Sequence, residues 1–300
     1  MLLTIKLFLI RIINLSLLYK RYLMKKLMVL CIACLCVATS ISARPMRAKF
    51  TDGKKFRSLL SSDESSMVMG WVDSMYNKMH LDSFGLQHDV FYYACKGYQY
   101  LLSQNKLQRP DILTICDYSQ LSNSKRLYVI DMVNGQILFN TYVSHGKNSG
   151  KEYASSFSNS NNSHKSSLGF MVTGETYRGR AGYSMHFDGM ETGINDHVRA
   201  RNIVLHGSFY VNGYRADEGK IGRSFGCPAV PFGEHEEIID NIKDGSCFFI
   251  YSPDYLYTRA SRILNAHFDW PVMSLLQTQT TAAPGNSNFA GINPLANQQK

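Results

Sequence analysis

The sequence predicts a mainly β domain of the α+β class, preceded by a helical hairpin. Between residues 66 and 107, apolar residues recur at spacings of three and four, as on one face of a helix. Between residues 111 and 251 the pattern changes to short β-branched and aromatic runs separated by turn residues. The 300 residues are enough for one sizeable core with appendages, or for two small domains.

The N-terminal segment resembles an export signal. Met24-Lys25-Lys26 precedes an apolar run over 27–37 and small residues that end at Ala43, the order of a secretory signal. We expect export to the periplasm or cell envelope, a targeting segment over 1–43, and a true start at Met24, with residues 1–23 a mis-assigned extension. The alternative is an uncleaved anchor, which would be the membrane contact of the protein. The first 50 residues hold nine basic and no acidic residues, so the net charge of +9 does not indicate a nucleic-acid-binding face.

Residues 44–63 have no clear period and are interpreted as a linker, and residues 64–110 as a helical segment that packs on the following domain. The first predicted helix carries a stripe of large apolar residues: Met67, Trp71, Met75 and Met79. The second, over 88–107, has an apolar face formed by Phe91, Ala94, Cys95, Tyr98, Leu101 and Leu102.

A domain of strands is predicted over 111–256, and a C-terminal tail over 257–300 that is disordered from about 277. Asn134-Gly135 lies between two β-rich runs and predicts a hairpin. The long polar segment 146–167 predicts a functional or disordered loop. The strand-like runs are 112–116, 126–133, 136–143, 169–173, 183–187, 202–206 and 247–251, and a short helix is expected over 234–243.

A cysteine and a histidine are the candidates for chemistry. His206 ends the apolar run Ile203-Val204-Leu205, and Cys227 follows 21 positions later in a Gly226-Cys227-Pro228 turn. A thiolate is a strong nucleophile, and an imidazole can take the thiol proton and later return it to a leaving amine. Backbone N–H groups of the turn can stabilise an oxyanion.

Two other interpretations stay open at this point. His206 and Cys227 could be ordinary buried residues, or they could bind zinc with a second histidine such as His235. A closed zinc site usually shows ligands paired at short spacing, which Cys227 lacks. Cys95, Cys116 and Cys247 lie in periodic runs, so we interpret them as buried free thiols rather than as disulfide partners.

The residues around Cys227 resemble the L,D-transpeptidase catalytic-domain (YkuD-like) family. Its motif is a histidine, a gap of about 14–17 residues, and then Ser/Thr-His-Gly-Cys; here 17 residues separate His206 from Ser224. Ser224-Phe225-Gly226-Cys227-Pro228 is similar to the branch with an aromatic residue before the glycine. Further stretches resemble that branch, so that the likeness spans roughly 80–255: His145-Gly146, Ser149-Gly150, Phe157-Ser158-Asn159, Ser166-Ser167-Leu168-Gly169-Phe170, Thr173-Gly174-Glu175-Thr176-Tyr177 and Gly222-Arg223.

The resemblance implies a mixed β-sandwich or barrel-like domain, with Cys227 as nucleophile and His206 as a base oriented by a backbone carbonyl. It implies transfer of a peptidoglycan stem peptide through diaminopimelate, with no cofactor and no metal. Ser224 and Gly226 match motif positions of the turn and oxyanion site. Phe225 replaces the motif histidine, and Ala229 stands where a polar residue is usual.

We expect Arg223, Arg199 or Arg201 to supply the missing charge, and Asn159, Ser166 and Ser167 to border the substrate groove together with Phe225. Two alternatives to transfer remain open. One is a hydrolase with the same Cys-His pair, acting as an L,D-carboxypeptidase or endopeptidase. The other is a non-catalytic module that binds the cell wall.

Overall fold

The computed structural model describes residues 62–219 and 221–272. The predicted targeting segment, almost all of the predicted linker and the predicted disordered tail lie outside these residues and stay predictions. The helices are α1 (Ser62–Lys78), α2 (His88–Ser103), α3 (Gly213–Asp217), α4 (His235–Ile242) and α5 (Tyr255–Ala260). The strands are β1 (Arg109–Asp117), β2 (Lys125–Asp131), β3 (Gln136–Tyr142), β4 (Gly169–Gly179), β5 (Gly182–Gly189), β6 (Val204–Ser208), β7 (Ala229–Pro231) and β8 (Ser246–Tyr251).

The strands form one eight-stranded sheet in the order β3-β2-β1-β8-β4-β5-β6-β7. β1 is parallel to β8 and β6 is parallel to β7, whereas the other neighbours are antiparallel. Just after β3, an isolated bridge pairs Ser144 with Ala229 of β7, which brings the two edges of the sheet together. The sheet is therefore nearly closed and barrel-like, and the predicted mainly β fold with an N-terminal helix pair is confirmed.

Helix α2 packs on the centre of the sheet. Its predicted apolar face is buried at Phe91, Ala94, Cys95, Tyr98 and Leu101, and half-buried at Leu102. Gly97 contacts the ring of Phe170 on β4 so closely that a Cβ at position 97 would lie 2.0 Å from Cζ. This close approach explains a glycine in the middle of a helix, where it otherwise destabilises.

The predicted stripe of α1 is confirmed in part. Val68 and Val72 are fully buried, whereas Met67 is 39% exposed. Trp71 lies at the edge of the core and meets Trp270 edge-to-face at 6.3 Å. Trp71 and Met75 pack against the core and Met79 is buried, so the buried face keeps these predicted residues, gains Val68 and Val72, and loses Met67.

The predicted hairpin between β2 and β3 is confirmed, but its turn is longer than two residues. Only Gly135 has a positive φ, at 62°, and Asn134 does not. The side chain of Asp131 accepts hydrogen bonds from the N–H groups of Val133 and Asn134. This carboxylate stabilises a four-residue turn, which replaces the tighter turn that the Asn-Gly pair suggests.

The chain after β8 packs against the core as far as Val272, through Ile263, Leu264 and Trp270. The buried carboxylate of Glu191 anchors this segment by accepting hydrogen bonds from Tyr257 and Ser261 and from the N–H of Phe170. The first residues of the predicted tail therefore belong to the folded unit. Within the described residues, no helix has both the length and the apolar character needed to cross a membrane.

Candidate active site

Cys227 lies in a tight turn that leads into β7. The Ser224 hydroxyl donates to the carbonyl of Cys227 at 2.6 Å and accepts from the N–H of Gly226 at 3.0 Å. Gly226 has φ of 127°, and a Cβ there would lie 2.8 Å from the carbonyl oxygen of Lys165. Both the backbone conformation and the neighbouring carbonyl therefore require glycine before the cysteine.

A long segment between β3 and β4, residues 144–167, lies along this turn, and we call it the strap. The N–H of Ser224 donates to the carbonyl of His145 at 3.0 Å, and the N–H of Lys147 donates to the carbonyl of Ser224 at 2.8 Å. Gly146 and Ser224 thus form a β-bridge. The polar loop expected from the sequence is ordered against the turn, where it fixes the position of Cys227.

Cys227 differs from the other thiols in its surroundings. Cys95, Cys116 and Cys247 are free and fully buried, as predicted, whereas Cys227 is only partly buried. Burial raises the pKa of Cys116 to about 12. Burial also raises the pKa of Cys227, but a backbone hydrogen bond with Val204 and the charge of Arg201 lower it. Among the described cysteines, Cys227 is therefore the one that combines solvent access with groups that favour its thiolate.

His206 lies in the middle of β6, paired with Ser184 of β5 and with Ala229 of β7. Its Nδ1 donates to the carbonyl of Gly207 at 2.9 Å. Burial lowers the pKa of His206. The hydrogen bond to Gly207 raises this pKa, and the charge of His235 lowers it further. The ring is thus neutral at pH 7, and a protonated Nδ1 leaves the lone pair on Nε2.

The pairing of β6 with β7 places His206 and the turn of Cys227 on adjacent strands. Ala229, the partner of His206, is two residues beyond Cys227. The Cys227 thiol donates to the carbonyl of Asn202 at 3.6 Å, four residues before His206. The thiol thus lies along the segment that enters β6, and its bond to Asn202 must be exchanged before it can give its proton to an imidazole.

The predicted serines of the strap are part of its internal hydrogen bonding. Ser166 and Ser167 are buried. The Ser166 hydroxyl accepts from the N–H of Gly146 at 3.0 Å, and that of Ser167 accepts from Arg201 at 2.7 Å. Asn159 donates to Asp196 at 2.7 Å. These side chains therefore form hydrogen bonds that hold the strap, which supports the turn of Cys227.

The three candidate arginines lie in different surroundings. Arg199 is held in surface ion pairs with Glu175 and Asp188, and its hydrogen bond lowers the pKa of Glu175 to about 2. Arg223 is exposed and donates to the carbonyl of Gly150 at 2.9 Å. Arg201 bonds to the strap. Of the three, Arg201 and Arg223 lie next to the turn of Cys227.

Phe225, the residue in place of the motif histidine, is 67% exposed. The ammonium of Lys147 lies 4.4 Å from its ring centroid, and the ring of His164 lies at 4.8 Å. An exposed aromatic ring beside a cation therefore borders the nucleophile. Lys147 was not predicted from the sequence, where its only signal is its position after His145-Gly146.

The buried Arg126 was also missed. It is fully buried, donates to the carbonyl of Val143 at 3.0 Å, and donates to Nδ1 of His145 at 2.9 Å. It thereby holds the first residues of the strap. In the described part of the chain, no group of three or more His, Cys, Asp or Glu residues could hold a metal ion.

Comparison with known proteins places this geometry in a family. Residues 83–251 match the family model of the L,D-transpeptidase catalytic domain, which is more than half of the 300 residues. The chain belongs to this family. No curated protein gave a significant match to this L,D-transpeptidase domain.

Solved structures similar to this L,D-transpeptidase domain include an L,D-transpeptidase from Mycobacterium smegmatis. That protein has 12% identity and a TM-score of 0.30, over 47% of this chain and 59% of that chain. A cysteine-to-serine variant of an Enterococcus faecium L,D-transpeptidase has 15% identity and a TM-score of 0.29, over 47% of this chain and 50% of that chain. The chain spans between half and three fifths of the length of these two proteins.

Proposed function

We propose that this protein is an exported L,D-transpeptidase that transfers peptidoglycan stem peptides through a thioester on Cys227. One observation carries the proposal: a partly exposed thiol on a glycine turn leads into the strand paired with that of His206, a half-buried histidine whose ring is oriented by a backbone carbonyl. Family membership supports the reaction class. The site acts outside the cytoplasm, in the periplasm or cell envelope.

His206 is the general base of the first step. Its neutral Nε2 accepts the proton of the Cys227 thiol, and the sulfur attacks the carbonyl at the L-centre of diaminopimelate in a tetrapeptide stem. The tetrahedral intermediate then expels the terminal D-alanine, whose amine takes the proton back from His206. The product of this half-reaction is an acyl-enzyme joined through the sulfur of Cys227.

The backbone N–H of Cys227 is the donor that we assign to the oxyanion. The N–H of Gly226 already donates to Ser224, and Pro228 has no N–H. Ser224 therefore acts by setting the shape of the turn. A preorganised donor of this kind typically accounts for about 10²–10³ in rate.

The second step regenerates the thiol. An amine of another stem attacks the thioester, His206 removes its proton, and sulfur leaves with that proton to give a cross-linked product. Phe225 and Arg223 are the accessible side chains of the turn, and Lys147 is exposed beside Phe225, so we assign these groups to substrate contact. Attack by water instead of an amine would give the hydrolase.

The test is to incubate the purified full chain with tetrapeptide muropeptides and to resolve the products by mass spectrometry. The matched variants are Cys227→Ala and Cys116→Ala, which each remove one sulfur. We expect cross-linked dimers and free D-alanine from the parent protein and from Cys116→Ala, and neither product from Cys227→Ala.

Each other result contradicts a defined part of the proposal. Shortened stems without dimers, dependent on Cys227, would replace transfer by hydrolysis. Activity that survives Cys227→Ala would remove Cys227 from the mechanism. Binding to peptidoglycan without any product from the parent protein would favour the non-catalytic module.

A further inference from the structure

Arg201 is a half-buried cation without an acidic partner among the described residues. The neighbouring Arg199 differs, because it forms ion pairs with Glu175 and Asp188 on the surface. A guanidinium that is partly removed from water loses hydration free energy, which must be offset by hydrogen bonds or by a negative charge. The contacts of Arg201 therefore indicate its role.

Four hydrogen bonds join the Arg201 guanidinium to the strap. Nη1 donates to the carbonyl of Ser158 at 2.5 Å and to the hydroxyl of Ser167 at 2.7 Å. Nη2 donates to the hydroxyl of Ser163 at 3.1 Å and to the carbonyl of Lys165 at 2.7 Å. These acceptors are neutral, so they do not compensate the positive charge. The forked pair Nη1 and Nη2, which we call the fork, holds both ends of residues 158–167.

The same guanidinium is connected to the nucleophile on two sides. The carbonyl of Lys165, which accepts from Arg201, lies 2.8 Å from where a Cβ on Gly226 would be. The carbonyl of Asn202, the next residue after Arg201, accepts from the Cys227 thiol at 3.6 Å. Arg201 thus lies between the strap and the turn. Its hydrogen-bond partner Lys165 lies against Gly226, and the next residue in the chain, Asn202, accepts from Cys227.

The electrostatics of the site also connect Arg201 with Cys227. The positive charge of Arg201 lowers the pKa of the Cys227 thiol, opposing the larger effect of burial. Because the strap acceptors carry no charge, a thiolate on Cys227 would be the counter-ion that Arg201 lacks. The charged or titratable groups that lie around the turn of Cys227 are Arg201, His206, Tyr210, His145, Lys147, His164, Lys165 and Arg223.

We propose that Arg201 is a positioning residue of the nucleophile, whose fork holds the strap against the Gly226–Cys227 turn and whose charge stabilises the Cys227 thiolate. The inference rests on the proposed function, since it takes Cys227 as the nucleophile. It also changes the role expected of Arg201, because its Nη1 and Nη2 donors are used inside the protein. Polar or charged contact with substrate is left to the more exposed Arg223 and Lys147.

The test measures alkylation of Cys227 in the full chain by iodoacetamide as a function of pH, with the site resolved by peptide mass spectrometry. In this reaction the thiolate sulfur bonds to the methylene carbon and iodide leaves, so the rate follows the thiolate fraction. Arg201→Met removes charge and fork, and Arg201→Lys removes the fork alone. Arg199→Met is the matched control. Hydrogen exchange of residues 158–167 reports whether the strap is held.

For Arg201→Met we expect the midpoint of the alkylation profile to rise by about one pH unit, which is about a tenfold slower reaction below the midpoint. Strap exchange should become faster. For Arg201→Lys we expect faster strap exchange with a midpoint close to that of the parent protein. Arg199→Met should change neither measurement.

An unchanged midpoint in Arg201→Met would overturn the electrostatic role, and unchanged strap exchange in both Arg201 variants would overturn the positioning role. If Arg201→Met does not fold, strap exchange in Arg201→Lys tests the positioning role. A raised alkylation midpoint in Arg201→Lys, which keeps the charge, would refute the role of charge. If Cys227 of the parent protein reacts no faster than the buried Cys116, the nucleophile itself is wrong, which is a separate failure.

Discussion

His145 makes the stability of the site depend on pH. The residue is fully buried at the start of the strap, and its Nδ1 accepts from Arg126 while its Nε2 donates to the carbonyl of Gly150 at 3.3 Å. Burial and then the charge of Arg126 lower the pKa of His145 from 6.5 to about 4. Protonation would remove the acceptor for Arg126 and place two cations together in the interior.

The magnitude follows from the pKa difference. The unfolded chain binds a proton on this histidine near pH 6.5, whereas the folded protein binds it only near pH 4. Stability from the neutral ring is therefore present above pH 6.5 and is lost as the pH falls towards 4. A difference of about 2.5 in pKa, at 1.36 kcal/mol for each, corresponds to about 3 kcal/mol. Because the His145 carbonyl holds Ser224, the turn of Cys227 should loosen together with the strap.

The assay is urea denaturation between about pH 7 and pH 4 for the parent protein, His145→Gln and the control His267→Gln, which changes an exposed histidine. Carboxylates titrate in all three proteins, so the informative quantity is the difference between the proteins in how their free energy of unfolding changes with pH. We expect the parent protein and the control to lose about 3 kcal/mol more than His145→Gln over this range. Parallel losses in all three proteins would refute the reasoning.

Two further predictions concern the reaction. Burial lowers the pKa of His206 and raises that of Cys227, so the proposed base is neutral. We therefore expect the acid limb of the pH profile of kcat/KM to lie below pH 6.5. An acid limb at or above pH 6.5, measured by tetrapeptide consumption, would contradict this. Ser224→Ala removes the partner of both Gly226 and Cys227, so we expect kcat to fall by about tenfold or more at nearly unchanged KM, the loss of roughly 1–3 kcal/mol. The exposed Ser155→Ala is the control, and equal steady-state rates for the two variants would show that the turn does not need its hydroxyl.

Local patterns were sufficient for most of the secondary structure. Helix α2 was predicted because its buried face repeats every three or four residues, and the β2–β3 hairpin because Asn134-Gly135 separates two β-rich runs. The strand β7 was missed, since its three residues lie between Pro228 and the turn after Pro231 and are too short to show a period. The stripe of α1 missed Val68 and Val72 and included the exposed Met67, because the large apolar residues beside the valines have a helical period of their own.

The candidate nucleophile was also accessible from sequence. Cys227 stood out because it lies between glycine and proline rather than in a periodic run, and the resemblance to the L,D-transpeptidase family then selected His206 as its partner. The parallel pairing of β6 with β7 aligns His206 with Ala229, 23 positions later in the chain, and no local pattern encodes a contact at this separation.

The sequence by itself therefore determined most of the secondary structure, the family and the residue types proposed for the reaction, because each depends on spacing along the chain. Only the tertiary structure decided which polar residues meet. The chain carries 32 lysine and arginine residues, and nothing in their order distinguishes Arg201 or Arg126 from those on the surface. Their roles arise because the nearly closed sheet buries them beside the strap, where hydrogen bonds replace water and a charge acts over several ångströms.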